Sequence, residues 1–331
     1  MLNSHSRSRK QAETLTVSNI KRYGEGWILD CQLRQLSPRT VGTRQDTIKK
    51  LLWFFEAKDY SNCSTLELKN YLAYLTNSHK EPQGRWGIAR LTKPLRPRSI
   101  WDAHNNVRCF FNWMIEEGYL EDNPMASIKP PVFRSDQIQP FTEQQVTALL
   151  NAAKKSKYPL RDTAILLFML DTGVRASEIC ELCHKDLDIV EKRAWVRGKG
   201  DKHRAVYFGK ATGKALWNYT HGEGREEADS VFLTERSHSF RPNSLLQFFM
   251  RMGESAKIEA TRCSPHTMRH TFAVTFLRNG GNVFSLQQLL GHTELKMTQR
   301  YVALAQADVE KQHRMFSPAD FLDGVRKKFG D

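Results

Sequence analysis

The sequence predicts a mainly α-helical protein with one small β-sheet, divided into two domains. Apolar residues recur at helical intervals along most of the 331-residue chain, and one pair of short strand-like segments flanks Gly198-Lys199-Gly200. The stretch 127–140 holds three prolines and interrupts the periodicity in mid-chain. Because a domain commonly has roughly 100 to 200 residues, this length fits two domains. We therefore expect a helical N-terminal domain followed by an α+β domain.

The N-terminal domain is predicted over residues 15–126, after a flexible polar tail at 1–14. Ser37-Pro38 has the form of an N-cap followed by proline in the first turn, which predicts a helix start. The helical pattern stops between residues 77 and 99, where glycines, prolines and basic residues indicate a loop. Helical spacing then resumes at Ile100.

The C-terminal domain is predicted over residues 141–302, with 127–140 as the linker before it. Thr142 and Gln145 have the spacing of a capping box, which predicts where the first helix of this domain begins. The remaining residues, 303–331, combine apolar and charged side chains and are too few to fold alone. We treat them as a C-terminal tail.

Two features place chemistry-bearing residues within this domain. An apolar segment over 163–171 is predicted as a buried helix that Gly173 stops, so that Arg175 lies just beyond a helix end. Segments 193–197 and 204–208 are predicted as the strands of a hairpin, because the residues between them favour a turn. The sheet is therefore expected to be small.

The charge of the chain predicts a polyanionic partner. Lys and Arg number 50 against 36 Asp and Glu, for a formal net charge of +14 and a pI near 9.5. No apolar run approaches the roughly 18 to 20 residues that span a bilayer, and the polar start lacks the apolar segment of a signal peptide. We expect a cytoplasmic protein with no membrane partner.

The six cysteines show no spacing typical of a disulfide framework, so we expect reduced thiols. Cys180-Glu181-Leu182-Cys183-His184 has the spacing of a c-type haem attachment site. That modification requires export, for which the sequence has no signal. We interpret this run as the continuation of the helix after Arg175, with neither haem nor metal.

Four motifs contain the residues most suited to phosphate chemistry. They are Thr172–Glu178 with Arg175 inside it, Pro265–His270, Leu289–His292 and a tyrosine nine residues later, Tyr301. Arginine stays charged and donates paired hydrogen bonds to phosphate oxygens, and histidine and tyrosine can exchange protons. Such a set can break a phosphodiester bond without a metal ion.

The order and spacing of these motifs resemble the tyrosine recombinases, also called phage-type integrases. The resemblance is specific from about residue 141 to 303 and looser over 15–130. It implies a helical core-binding domain and a catalytic domain that close on duplex DNA as a C-shaped clamp. It also implies a site-specific recombinase that cleaves and rejoins DNA through a 3′-phosphotyrosyl intermediate, without cofactor, metal or ATP.

By this resemblance Tyr301 is the nucleophile, and Arg175 and Arg269 hold the scissile phosphate. A free tyrosine has a pKa near 10 and needs help to lose its proton, so His266 is expected to be the general base. His292 is expected to hydrogen-bond a non-bridging phosphate oxygen.

The leaving 5′ oxygen needs a proton, and in the family a lysine in a hairpin turn supplies it. Lys199 matches that position; Lys202 is the competitor in the same turn, and either lysine could instead contact phosphate. Glu178 is expected to orient the active-site cations, although a purely structural ion pair with Arg175 is an alternative. His270 is expected to orient its neighbours or cap its helix.

Several further cations are proposed to contact DNA. Besides Lys202 they lie in the basic loop of the first domain: Arg85, Arg90, Lys93, Arg96 and Arg98. The alternative for this loop is a solvated insertion, and the sequence leaves both interpretations open. Most of the affinity for DNA should come from phosphate contacts and fall with salt.

The resemblance also implies an assembly: a homotetramer on two synapsed DNA sites, formed from a monomer or weak oligomer. The tail at 303–331 is expected to dock on a neighbouring protomer, with packing on its own protomer as the alternative. Accessory proteins that bend DNA or set direction are possible partners.

Only about 14 residues precede the first predicted helix, which favours a simple recombinase that integrates or excises a mobile element. Resolution of chromosome or plasmid dimers is an alternative with the same chemistry. An inactive DNA-binding regulator and a type IB topoisomerase are alternatives from other classes.

Overall fold

The computed structural model describes residues 15–77, 84–132, 139–198, 203–222, 230–305, 313 and 317–319. The chain forms two compact units, residues 1–136 and 137–331. The described part is mostly helical with one three-stranded sheet, which confirms the predicted fold class. Within it, no helix is long and apolar enough to cross a bilayer. The predicted tail at 1–14 and most of that at 303–331 lie outside the described residues.

Four α-helices build the described part of the first unit. They are α1 (Val17–Leu33), α2 (Pro38–Ala57), α3 (Thr65–Thr76) and α4 (Pro97–Glu116). The helix start predicted at Ser37-Pro38 is confirmed, because the Ser37 hydroxyl oxygen accepts a hydrogen bond from the Thr40 backbone N–H. Large apolar side chains such as Trp27, Phe54 and Phe110 are almost completely buried among these helices and form one core.

In the loop between α3 and α4, the predicted DNA contact of Arg85 has to be corrected. Arg85 begins a short 3₁₀ turn and is only 6% exposed; its Nη1 donates to the Lys93 carbonyl at 2.7 Å. The next residue, Trp86, packs against the rings of Trp53 and Tyr74. Arg85 therefore bonds the backbone of its own loop from a buried position, and it is not one of the exposed cations of this loop.

The second unit contains eight helices and three strands among its described residues. They are α5 (Glu143–Lys154), α6 (Pro159–Thr172), α7 (Ala176–Cys180), β1 (Leu187–Asp188), β2 (Arg193–Arg197), β3 (His203–Tyr207), α8 (Lys210–Gly222), α9 (Pro242–Ser255), α10 (Pro265–Arg278), α11 (Val283–Leu290) and α12 (Leu295–Ala305). The capping box predicted at Thr142 and Gln145 is present at the start of α5. Helix α6 lies at the centre and packs against α5, α8 and α10.

The sheet is antiparallel in the order β1-β2-β3. Strand β2 has the predicted bounds, and β3 begins one residue earlier than predicted, at His203. The short strand β1 was not predicted, because two residues leave no periodicity to detect. In the β2-β3 ladder Val196 lies opposite Arg204, so Arg204 is on the face of the sheet that bears the buried side chains.

Gly173 ends α6 as predicted. Its φ of +60° lies in the left-handed region, and a Cβ placed on it would come within 2.1 Å of Phe272 Cδ1. Two residues later, Arg175 occupies the N-cap position of α7. The glycine therefore ends the buried helix and turns the backbone, so that Arg175 lies at the start of α7.

Candidate active site

Four of the predicted catalytic side chains lie in or next to helices α7, α10, α11 and α12. Arg175 precedes α7, Arg269 lies in α10, His292 follows α11 by two residues and Tyr301 lies in α12. Contacts between α10, α11 and α12 bring the last three together, and β3 also contacts α11. Arg175, Arg269 and His292 join one hydrogen-bond network, and the Tyr301 ring lies 6.4 Å from the His292 ring.

Three arginines converge on the C-terminal end of α11. Each donates to a different one of three consecutive backbone carbonyls, those of residues 289–291. The donor–acceptor distances are 2.8 Å from Arg204 Nε to residue 289, 2.7 Å from Arg269 Nη2 to residue 290 and 2.9 Å from Arg175 Nη2 to residue 291. Positive charge at a helix C-terminus is favourable, because the last carbonyls have no partner within the helix.

The glycine of the Leu-Leu-Gly-His motif makes this arrangement possible. Gly291 caps α11 with a left-handed φ of +62°, and a Cβ on it would lie only 3.2 Å from Arg204 Cδ. The backbone therefore turns close to the arginine side chain and delivers His292 to the site.

Glu178 is the buried counter-charge of two of these arginines. Its side chain is fully buried and accepts the Arg175 backbone N–H and Nη1, each at 2.7 Å. The same carboxylate accepts Arg204 Nη1 at 2.5 Å and Nη2 at 2.9 Å, as a bidentate pair. Burial acts to raise the pKa of Glu178, but the hydrogen bonds and charge of Arg204, followed by the hydrogen bonds of Arg175, outweigh it and lower that pKa.

Arg269 fixes the tautomer of His292. A guanidinium can only donate, so in the 3.1 Å contact between Arg269 Nη2 and His292 Nε2 the imidazole nitrogen accepts. The ring proton must then lie on Nδ1, which donates to the Thr298 hydroxyl at 2.9 Å. Burial, followed by the charges of Arg269 and Arg175, lowers the pKa of His292 to about 4, so the ring is neutral near pH 7.

The phenol of Tyr301 contacts His270. The distance from His270 Nδ1 to Tyr301 Oη is 2.8 Å, and Tyr301 is only 2% exposed. Burial raises the pKa of Tyr301, against the charges of Arg269, Arg300 and Arg175, which act to lower it. Burial, followed by the charges of Arg300, His266 and Arg269, lowers the pKa of His270 to about 4, so its Nδ1 can accept the phenolic proton as a hydrogen bond.

The site carries more positive than negative charge. Burial and the neighbouring charge of Arg175 lower the pKa of Arg269 to about 10, which still leaves it protonated at neutral pH. Among the described residues, Glu178 is the carboxylate that pairs with Arg175 and Arg204, and Arg269 adds a third positive charge beside them. A phosphate would supply the charge that this arrangement lacks.

The remaining predicted residues have different outcomes. His266 lies on the exposed side of α10, one turn before His270, and its proposed role as base stays a prediction. Lys199 and Lys202 lie outside the described residues, so their roles also stay predictions. In the first unit, Arg98 is exposed but pairs with Asp102 at 3.2 Å.

Arg90, Lys93 and Arg96 are exposed, as a contact with DNA would require.

Two residues of the site were missed by the sequence interpretation. Arg204 binds Glu178 and the end of α11, and Thr298 accepts from His292. A signal for Arg204 was available: it lies two residues before the buried Val206 in an alternating strand, so it had to face inward. Thr298 had no such signal beyond its position one turn before Tyr301.

Comparisons with known proteins identify the family of this chain. Residues 139–308 match the model of the phage integrase family. Tyrosine recombinase XerD of Haemophilus influenzae is 30% identical over 77% of this chain and 88% of its own length. Tyrosine recombinase XerC of Bacillus pumilus is 26% identical over 87% of this chain and 93% of its own length.

Solved structures show the same fold. The site-specific recombinase XerH, in a post-cleavage complex with a palindromic difH substrate, has a TM-score of 0.66 at 17% identity, over 91% of this chain and 85% of that one. The integrase of transposon Tn1549, in complex with circular intermediate DNA, has a TM-score of 0.66 at 19% identity, over 91% of this chain and all of that one.

The chain belongs to the phage integrase family, the tyrosine recombinases. It is a recombinase/integrase enzyme of the tyrosine type.

Proposed function

We propose that this enzyme is a site-specific DNA recombinase that cleaves and rejoins DNA strands through a 3′-phosphotyrosyl intermediate on Tyr301, without metal or ATP. The observation that carries the proposal is the convergence of Arg175, Arg269 and His292 at the end of α11, beside the phenol of Tyr301.

The arginines supply phosphate binding. In the structure the Nη2 groups of Arg175 and Arg269 donate to neutral carbonyl oxygens. Anionic phosphate oxygens form stronger, charge-assisted hydrogen bonds with the same groups. Both guanidiniums can therefore turn from the end of α11 to a scissile phosphate and stabilise the extra negative charge of its pentavalent transition state.

Phosphate binding also changes what His292 can do. Once Arg269 turns to phosphate, His292 Nε2 loses its donor, while Nδ1–H keeps its contact with Thr298. A nearby phosphate charge raises the pKa of His292 from about 4. A proton gained at Nε2 then lets His292 donate to a non-bridging oxygen.

The chemical step is an in-line displacement. The Tyr301 oxygen attacks phosphorus, the bond to the 5′ oxygen breaks, and this oxygen takes a proton, which we assign to Lys199. The phenolic proton passes to a histidine: His270 is the hydrogen-bond partner of the phenol, and His266 is the sequence-based choice. A 5′-hydroxyl of a second strand reverses the step, and the phosphotyrosyl bond conserves the energy that rejoining needs. Because Tyr301 is buried, α12 must shift before attack.

Double-stranded DNA is the proposed partner, bound by a homotetramer at two synapsed sites in the cytoplasm. XerH, the Tn1549 integrase and a lambda integrase dimer are each described in complex with DNA, which supports the partner. For the tail at 303–331 we propose docking on a neighbouring protomer. The biological role that we propose is integration or excision of a mobile element.

The test begins by finding the DNA site. Purified protein is incubated in EDTA with a library of randomised duplexes, and the DNA that remains attached after denaturation in SDS is sequenced. A nicked duplex of the recovered sequence then traps the cleaved complex. We expect covalent attachment by the native enzyme and by Tyr207→Phe, an exposed tyrosine on β3, and none by Tyr301→Phe.

Attachment by Tyr301→Phe, or cleavage only with added magnesium, would contradict the proposed mechanism. Binding without attachment by the native enzyme would favour the inactive regulator. Relaxation of supercoiled DNA without strand exchange between two sites would favour a topoisomerase. Recovered DNA that matches the ends of a mobile genetic element supports the mobile-element role. Recovered DNA that matches one site on a chromosome or plasmid supports dimer resolution.

A further inference from the structure

Arg204 is the one arginine at the end of α11 that has no assigned role in phosphate binding. All three of its donor nitrogens are engaged: Nη1 and Nη2 with Glu178, and Nε with the Leu289 carbonyl. Its side chain is 14% exposed, against 33% for Arg175. It is therefore the more enclosed and more completely bonded of the two arginines that share Glu178.

We propose that Arg204 is a positioning residue, which fixes Arg175 and the end of α11 in register for phosphate binding. The geometry has two parts. Through Glu178, Arg204 is bonded to the carboxylate that holds Arg175. Through Leu289, it is bonded to the helix end that carries the other acceptor of Arg175, the Gly291 carbonyl.

The catalytic consequence rests on the proposed function. When phosphate takes the Nη2 groups of Arg175 and Arg269, the carbonyls of residues 290 and 291 lose their donors. Arg204 keeps its bonds to Glu178 and to Leu289, because each of its three donor nitrogens is already bonded to one of these buried acceptors. It therefore keeps the end of α11, and His292 beyond it, in place during the exchange of partners.

Arg204 also connects this site to the hairpin. It lies in β3 opposite Val196 in β2, five residues after Lys199 in the sequence. The strand that leads from the hairpin turn is thus bonded directly to the carboxylate of the active site.

Arg204→Lys is the informative variant. Lysine keeps the positive charge but has a single ammonium, which cannot reproduce a bidentate carboxylate pair together with a third bond to a carbonyl. Arg193→Lys is the matched control, because Arg193 lies on the neighbouring strand, is exposed, and pairs with Asp188 at 3.6 Å.

The first measurement needs no DNA. Hydrogen–deuterium exchange of the free enzyme is followed in peptides that cover residues 287–298. We expect exchange about tenfold faster in Arg204→Lys, since loss of a charge-assisted bond to the helix end shifts local opening by about that factor. Arg193→Lys should match the native enzyme. Native exchange in Arg204→Lys overturns the inference, whatever the enzyme does with DNA.

The second measurement uses single-turnover cleavage of the nicked duplex. A misplaced Arg175 lowers the rate constant, and a displacement near 1 Å costs about 100-fold. Partial unfolding lowers the amplitude instead. We expect a rate constant about 10- to 100-fold lower at native amplitude, with little added loss when Arg204→Lys is combined with Arg175→Lys.

A native rate constant, a loss confined to the amplitude, or fully additive losses in the double variant would each overturn the positioning role. If the native enzyme forms no covalent complex, it is the proposed function that fails, and the exchange measurement still decides the local role of Arg204.

Discussion

Replacement of Glu178 by glutamine tests the charge balance of the site most directly. The carboxylate is fully buried and accepts four N–H groups from two arginines. A glutamine of nearly the same shape keeps one acceptor oxygen, but its NH₂ group must face a guanidinium that can only donate. The substitution therefore leaves two cations without a counter-charge while the packing stays almost unchanged.

The magnitude follows from the burial of the partners. Removal of one partner of a buried ion pair costs about 3 to 5 kcal/mol. The Arg204 side chain is only 14% exposed and stays largely shielded from water, but the Arg175 side chain is 33% exposed and can recover some hydration. Because of this recovery we take the lower end of the range, about 3 kcal/mol. For the unit at 137–331, that corresponds to a fall of about 6 to 12 °C in its thermal midpoint.

Chemical and thermal unfolding of Glu178→Gln measure this loss, with Glu181→Gln as the control. Glu181 is exposed on the same segment, so its substitution should stay within about 0.5 kcal/mol of the native enzyme. A loss below about 1 kcal/mol in Glu178→Gln would show that the carboxylate does not carry the charge of this cluster, and the bonding assigned to both arginines would be wrong.

Two further predictions concern protons and salt. Folding lowers the pKa of both His270 and His292 from 6.5 to about 4, so between these values the unfolded chain binds more protons and stability should fall as the pH is lowered. Thermal midpoints from pH 7 to pH 4.5 measure this, and His270→Gln should flatten the decline; an equally steep decline in that variant would contradict it. Replacement of the three exposed loop cations by alanine should make the plot of log binding constant against log salt concentration less steep, by up to about 0.9 in slope per lost phosphate contact. An unchanged slope would show that the loop is a solvated insertion that does not contact DNA. The three are Arg90, Lys93 and Arg96.

The sequence predicts those parts of the site that depend on local structure. Gly173 and Gly291 each end a helix in the left-handed conformation, and each is followed within two residues by a proposed catalytic side chain, Arg175 or His292. A glycine that ends a helix can be recognised in a short motif, so the motif also predicts that the polar residue after it lies outside the helix. The same reasoning predicted the cap at Ser37.

The partners of these side chains depend on contacts between distant residues, which the sequence did not predict. Arg204 binds Glu178, 26 residues earlier, and the Leu289 carbonyl, 85 residues later. Arg85 is a basic residue in a basic loop, as a DNA contact would be, yet the packing of the loop buries its side chain. Neither outcome follows from periodicity. The pattern of a strand or loop predicts the direction of a side chain but not the residues that it contacts.

The two histidines of α10 show the same limit within a single motif. His266 and His270 are four residues apart, so helical geometry places them on the same face, and both could serve a phenol on a neighbouring helix. The docking of α12 against α10 puts Tyr301 beside His270. If α12 shifts to expose the phenol to phosphate, the contact with His270 has to break, and His266, on the exposed side of the helix, becomes the base that can follow the phenol outward. We therefore propose that the two histidines act in sequence, with His270 holding the resting nucleophile and His266 deprotonating the attacking one.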